Sequence, residues 1–123
     1  MSFAAILQQI VDGCRGGLGA VLMGSDGMPI EQAISSAAPE GLADELVTVG
    51  VEFGRLLGDM RKASDSIAGG ALLDVTVRLA RLSLVFAAVD EETFLAVAVA
   101  LDGNAGQARY LLRRQLPALR QEL

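Results

Sequence analysis

Two stretches decide the reading of this chain: Val21-Leu22-Met23-Gly24-Ser25-Asp26-Gly27-Met28-Pro29-Ile30 and Leu101-Asp102-Gly103-Asn104-Ala105-Gly106-Gln107-Ala108-Arg109. In the first, apolar residues flank an Asp-Gly pair, which tolerates the positive φ values of a tight turn, so the segment reads as strand, turn, strand. In the second, a buried strand ends at Asp102 and small, turn-forming residues open a helix. Both are backbone devices without a catalytic side chain. A chain built on such junctions is expected to act through its surfaces.

Working outward, Phe3, Ile6, Leu7, Ile10, Val11 and Cys14 recur at helical spacing, with Ser2 placed to cap the helix. Gly16, Gly17 and Gly19 lead into a strand over 20–23, and the Asp26-Gly27 turn returns the chain through Pro29 to Ile34. Pro39 and Glu40 sit where a helix start wants them, and the long second helix is expected over 40–62. The alternation Leu73, Val75, Val77, Leu79 against Asp74, Thr76, Arg78 marks a half-buried third strand. The apolar runs 84–89 and 94–101, separated by Asp90-Glu91-Glu92, complete a three-strand meander. The last helix is expected over 104–122, with Ala105, Ala108, Leu112, Leu116 and Leu119 inward and Pro117 bending its final turn. The order is helix, two strands, helix, three strands, helix: an α+β fold with a five-stranded antiparallel sheet and helices on its faces.

The second helix carries two stripes. Leu42, Leu46, Val49, Phe53, Leu56, Leu57 and Met60 form its expected core face. Beside it run Ala43, Val47, Gly50, Gly54 and Gly58. Each glycine inside a helix costs about 1 kcal/mol relative to alanine, so three on one face need a reason. Close approach of a second chain is one reason. Packing against this chain's own sheet is the other, and the first is preferred because the large apolar stripe already occupies the sheet-facing side.

Composition points the same way. Apolar residues make up 52% of 123 residues, aromatic residues only 4%, and mean hydropathy is +0.45. A domain of this size buries about two thirds of the surface its unfolded chain exposes, so part of the apolar remainder is expected to be covered by another subunit. The third strand should lie at a sheet edge, which invites pairing. Two copies joined antiparallel about Thr76 would set Asp74 opposite Arg78 of the second copy. The longest apolar runs are too short to span a bilayer, no secretory leader is evident, and a cytoplasmic location is the default expectation. Ten basic against 15 acidic residues, a net charge of −5, oppose nucleic acid and anionic membrane as partners.

Reactive chemistry is sparse. The chain has no His, which excludes imidazole-based triads and histidine metal sites. Its single cysteine, Cys14, lies on the core face of the first helix and reads as structural. Gly13-Cys14-Arg15-Gly16-Gly17-Leu18-Gly19 lacks the Lys-Ser/Thr ending of a phosphate loop and precedes a strand instead of following one. The helix start at Gly103-Asn104-Ala105-Gly106 has amides suited to an anion. Asp102 beside it and the lack of a nearby Lys favour a capping role for Asp102 or Asn104. Asp90-Glu91-Glu92 reads as a solvated turn and the arginines of the last helix as a solubilising face. No catalytic residue, cofactor or metal is expected.

With this element order, the Val21–Ile30 hairpin and the segment from Leu101 to Arg109 with Tyr110-Leu111-Leu112-Arg113-Arg114 behind it, the chain resembles the Roadblock family of dynein light-chain and bacterial gliding-motility (MglB-type) proteins. The resemblance covers nearly the whole chain. It implies one long helix on one sheet face and two on the other, and a homodimer whose sheets join edge to edge with paired second helices. It further implies that this helix pair docks a small Ras-like GTPase without contributing a catalytic residue. By position, the docking face comprises Asp44, Val47, Thr48, Val51, Glu52 and Arg55, and the dimer interface Ala43, Val47, Gly50, Gly54, Gly58, Asp74, Thr76 and Arg78. Glu52 and Arg55 depart from an all-small platform. A structural adaptor and a small-ligand sensor are the alternative expectations.

Overall fold

The computed structural model describes residues 2–123. Its elements run α1 (Phe3–Gly13), β1 (Gly17–Gly24), β2 (Pro29–Ile34), α2 (Leu42–Ser66), β3 (Asp74–Arg78), β4 (Leu82–Ala88), β5 (Thr93–Ala100) and α3 (Ala105–Glu122). Ser2 caps α1 as expected, its hydroxyl accepting from the Ala5 amide at 3.2 Å. The long helix begins at Leu42 with Gly41 as its N-cap and ends at Ser66, so it is displaced toward the C-terminus relative to the expected 40–62. Pro39 lies in the turn before it.

The strands form one antiparallel sheet in the order β2-β1-β5-β4-β3. The meander of the last three strands and the edge position of β3 follow the sequence expectation. β5 sits at the centre, and its residues from Thr93 to Val99 are all buried. It is apolar on both sides because both faces of the sheet are covered. Leu95, Val97 and Val99 face a cluster made with Ile6, Leu7, Ile10 and Val11 of α1 and Ala108, Leu112 and Leu119 of α3. Phe94, Ala96 and Ala98 face the opposite cluster, with Leu46 and Leu57 of α2. Thus α2 covers one face alone and α1 and α3 share the other.

The two diagnostic junctions differ from the simplest reading in their details. The β1–β2 connection spans four residues, and only Gly27 has positive φ (+89°), so it is not a two-residue turn with both central residues left-handed. Asp26 works through its side chain instead, Oδ1 accepting the Met28 amide at 3.0 Å. At the other junction β5 ends at Ala100, two residues before the expected Asp102, and Asn104 is the cap of α3, Oδ1 accepting the Gln107 amide at 2.9 Å.

This second junction is fastened to the end of α1. The Ala100 amide donates to the Gly16 carbonyl (2.8 Å), the Asn104 amide to the Arg15 carbonyl (2.9 Å), and the Arg15 amide to Gln107 Oε1 (2.9 Å). Gly16 turns at φ +77°, and a Cβ there would sit 2.6 Å from Gly103 Cα. A Cβ on Gly103 would meet the Arg15 carbonyl oxygen at 2.6 Å and Val99 Cγ1 at 2.7 Å. The thiol of Cys14 is buried here and donates to the Asn104 carbonyl at 3.4 Å, and burial raises its pKa, which fits a structural cysteine.

Gly103→Ala is expected to cost about 1–3 kcal/mol through this overpacking, read from the urea midpoint. In the β4–β5 turn the Thr93 hydroxyl donates to Asp90 Oδ1, which also accepts the Glu92 amide at 2.8 Å. The Thr93 bond is the largest cause holding the Asp90 carboxyl below its usual range. A folded-state pKa that is depressed contributes stability above the ordinary carboxylate range, and that contribution is lost as pH falls through the lowered value. Thr93→Val is therefore expected to move the Asp90 titration upward in NMR and to reduce the acid-induced loss of stability.

Candidate functional site

Candidate binding surface comes from α2 and the β3 edge. The seat of α2 is set by the sheet beneath it. Leu42, Leu46, Gly50 and Leu57 are its buried residues, and Phe53 stacks on Phe86 of β4 with ring centroids 5.2 Å apart and planes 17° apart. At two positions of the small stripe, this chain's own sheet supplies the close neighbour. A Cβ on Gly50 would lie 3.1 Å from Met23 Cγ, and one on Gly54 3.1 Å from Phe94 Cζ. These two glycines let the helix sit low on β1 and β5, which is the intramolecular alternative. Gly58 has nothing within 4 Å of an added Cβ.

The expected core stripe needs correction at its C-terminal end. Leu56 and Met60 are 48% and 41% exposed. The 3.6-residue repeat carries them past the edge of the helix's footprint, onto the flank that Phe53 and Val49 share. That flank looks toward β3 and β4: Val49 lies over a recess of about 370 Å³ bordered by Leu79, Leu82 and Leu84, and Leu57 sits near Leu72 and Val75. Leu73 and Leu79, at the ends of β3, are exposed as well.

β3 pairs only with β4, so its outer side presents free backbone groups. Val75 and Val77 pack toward α2. Thr76 and Arg78 are exposed on the other face. Asp74 shares that face and is held within its own chain, accepting from Arg113 Nη2 at 2.9 Å and Nε at 3.2 Å. Sequence reasoning placed the Arg113 row on a solubilising face, because strand pairing and helix docking together create this contact between residues far apart in the chain.

The residues expected as the docking face are brought together. Asp44, Thr48, Val51, Glu52 and Arg55 are exposed along the solvent side of α2, with Val47 half-buried at its border. Glu52 and Arg55 form an ion pair at 3.9 Å with both side chains largely in water, an arrangement worth little energetically. Thr48 Oγ1 donates to the Asp44 carbonyl at 3.2 Å. Among the described residues no group of His, Cys, Asp and Glu side chains is arranged to hold a metal ion. No helix among them is long and apolar enough to cross a membrane.

Solved structures resemble the chain over its whole length. MglC from Myxococcus xanthus is 31% identical with a TM-score of 0.70, the match covering 100% of both chains. A Roadblock/LC7 domain from Streptomyces avermitilis is 19% identical at TM-score 0.82, covering 98% of this chain and 97% of the other. The gliding protein MglB from Thermus thermophilus is 14% identical at TM-score 0.84, covering 96% of this chain and 85% of the other. No protein-family model matches the sequence, and no curated protein does. The chain belongs to the Roadblock/LC7 family.

Gly58→Ala is expected to raise stability by about 0.5–1 kcal/mol in thermal melts, because the helix gains and nothing nearby is crowded. At Gly50 and Gly54 the same substitution should gain less or lose, since the new methyl presses on Met23 or Phe94.

Proposed function

We propose that this protein is a non-enzymatic regulator of the gliding-motility type, which dimerises through the β3 edge and the adjoining flank of α2 and docks a small Ras-like GTPase on the solvent side of α2. The observation that carries the docking reading is the continuous exposed face from Asp44 to Arg55, on a chain alike in fold to MglC from end to end and to MglB over most of its length. The mechanism is geometric. Docking favours one arrangement of the GTPase's own switch loops, and the driving energy is the difference in binding between its states.

Dimerisation is supported by the pattern of half-buried and exposed apolar residues on one flank of α2. Val49, Phe53, Leu56 and Met60 are spaced four, three and four apart, which reads the same in either direction. Two antiparallel copies of α2 related by a two-fold axis would set Val49 against Met60 of the second copy and Phe53 against Leu56. β3 strands paired about Thr76 bring the helices to the same axis, with Asp74 opposite Arg78 of the second copy. Ala43, Val47, Gly50, Gly54 and Gly58 lie on the other flank of α2, so in this arrangement they contribute by seating the helix, with Gly58 at the border.

A second reading, a structural adaptor, is favoured by one observation: the charged pair Glu52–Arg55 stands in the middle of the docking face. One experiment separates the readings. The Ras-like GTPase encoded nearest to this chain is mixed with it, and binding and GTP hydrolysis are measured together. A regulator changes the hydrolysis rate, an adaptor binds without changing it, and absence of binding overturns both. Val51→Asp is expected to weaken binding by about tenfold or more, a cost of about 1.4 kcal/mol, without changing the sedimentation of the chain alone. Leu56→Asp should shift sedimentation toward the monomer while far-UV circular dichroism stays unchanged. A wild-type chain that sediments as a monomer at micromolar concentration would end the dimer proposal.

A further inference from the structure

The opposite face of the sheet holds a recess that the docking reading does not use. It has a volume of about 310 Å³ and is bordered by Arg15, Arg78, Ser83, Ala100, Leu101, Gly103, Asn104 and Ala105. No acidic side chain is among these, although the protein as a whole carries a net charge of −5. The three polar side chains that matter come from separate parts of the chain: the loop after α1, the outer strand β3, and β4. They meet because the Arg15–Gly16 segment is bonded to the Ala100–Asn104 junction and because Arg78 pairs with Ser83 across β3 and β4.

Neither guanidinium has a hydrogen bond or ion pair with any other described residue. Arg113, by contrast, is committed to Asp74. Ser83 is only 8% exposed, and its hydroxyl has no partner among the described residues. Since no fully enclosed side-chain polar atom is left unsatisfied, what remains accessible of that hydroxyl opens on the recess. A hydroxyl so largely withdrawn from water normally recovers its hydrogen bond within the protein, and this one has only the recess to turn to. The start of α3 borders the same space, with Asn104 already engaged as cap and the Ala105 and Gly106 amides left over from the first turn.

We propose that this recess is an oxyanion site that takes a phosphate group, either as inorganic phosphate or as the terminal group of a small phosphomonoester. Two arginines, one hydroxyl and the amides of a helix start border one recess from separate elements, which suits a tetrahedral acceptor better than a planar carboxylate. Asp102 is exposed and stands outside the lining, so it lowers the affinity without filling the site. The site goes beyond the GTPase reading, but it shares Arg78 with the β3 edge of the proposed dimer.

The test is an NMR titration of the full-length ¹⁵N-labelled chain with inorganic phosphate and, separately, with glycerol phosphate, at ionic strength matched with sodium chloride. Saturable shifts are expected at the amides of Arg15, Gly103, Ala105 and Gly106. Arg15→Gln and Arg78→Gln should each weaken binding by about tenfold, as loss of one charge-assisted contact implies, and Ser83→Ala by less. Arg15 lies away from β3, so Arg15→Gln separates anion binding from any change in association. Binding of phosphate but not glycerol phosphate assigns the free ion, and binding of both assigns the ester. Shifts that chloride reproduces, or affinity unchanged in both arginine variants, would overturn the proposal.

Discussion

A five-stranded sheet with strands about 4.8 Å apart is roughly 19 Å wide between its outer strands, and a helix with its side chains is about 10–12 Å across. Two helices cover such a face and one does not. On the α1/α3 side the cover is complete enough that Ile6, Leu7, Ile10, Ala108, Leu112 and Leu119 are wholly buried. On the other side α2 must choose where to lie, and Gly50 and Gly54 let it settle over Met23 and Phe94. The uncovered strip therefore falls toward β3. The exposed Leu56, Met60 and Leu79 and the recess under Val49 are consequences of that one mismatch in width.

Burial of both sheet faces also explains the composition. β5 reads Thr-Phe-Leu-Ala-Val-Ala-Val-Ala, with small alanines under α2 and larger residues under α1 and α3. Ala96 and Ala98 keep the sheet surface low under the helix, while Phe53, Phe86 and Phe94 form a run of ring contacts between α2 and the sheet. The low aromatic content and high alanine and glycine content are thus those of a thin layered domain whose free surface is concentrated along one edge and one helix.

The α1–β1 loop and the β5–α3 junction form a second organising contact. Each needs a glycine at the point of closest approach, and together they fix the end of α1 against the start of α3. This lets three remote residues, Arg15, Arg78 and Ser83, share one recess. An anion reading of the α3 start lacked support in the sequence because Asp102 precedes it and no Lys is close to it along the chain. The basic groups arrive by strand pairing and loop closure.

The sequence by itself determined the order of elements, the antiparallel meander, the Ser2 cap and the edge position of β3, because each follows from local periodicity, a short-range backbone preference or the element order itself, while the row from Asp44 to Arg55 came by position from the family resemblance. It reached the family for the same reason. It misjudged the C-terminal half of α2, where Leu56 and Met60 have helical core spacing yet overhang the sheet, and it preferred a second chain as the close neighbour of the glycine stripe where Gly50 and Gly54 lie against this chain's own Met23 and Phe94. Only the tertiary structure decided which helix face points down, that Asp74 belongs to Arg113, and that Arg15 and Arg78 border one recess. These depend on how far a helix shifts across a sheet and on contacts between residues distant in the chain, neither of which a repeat of two or 3.6 residues encodes.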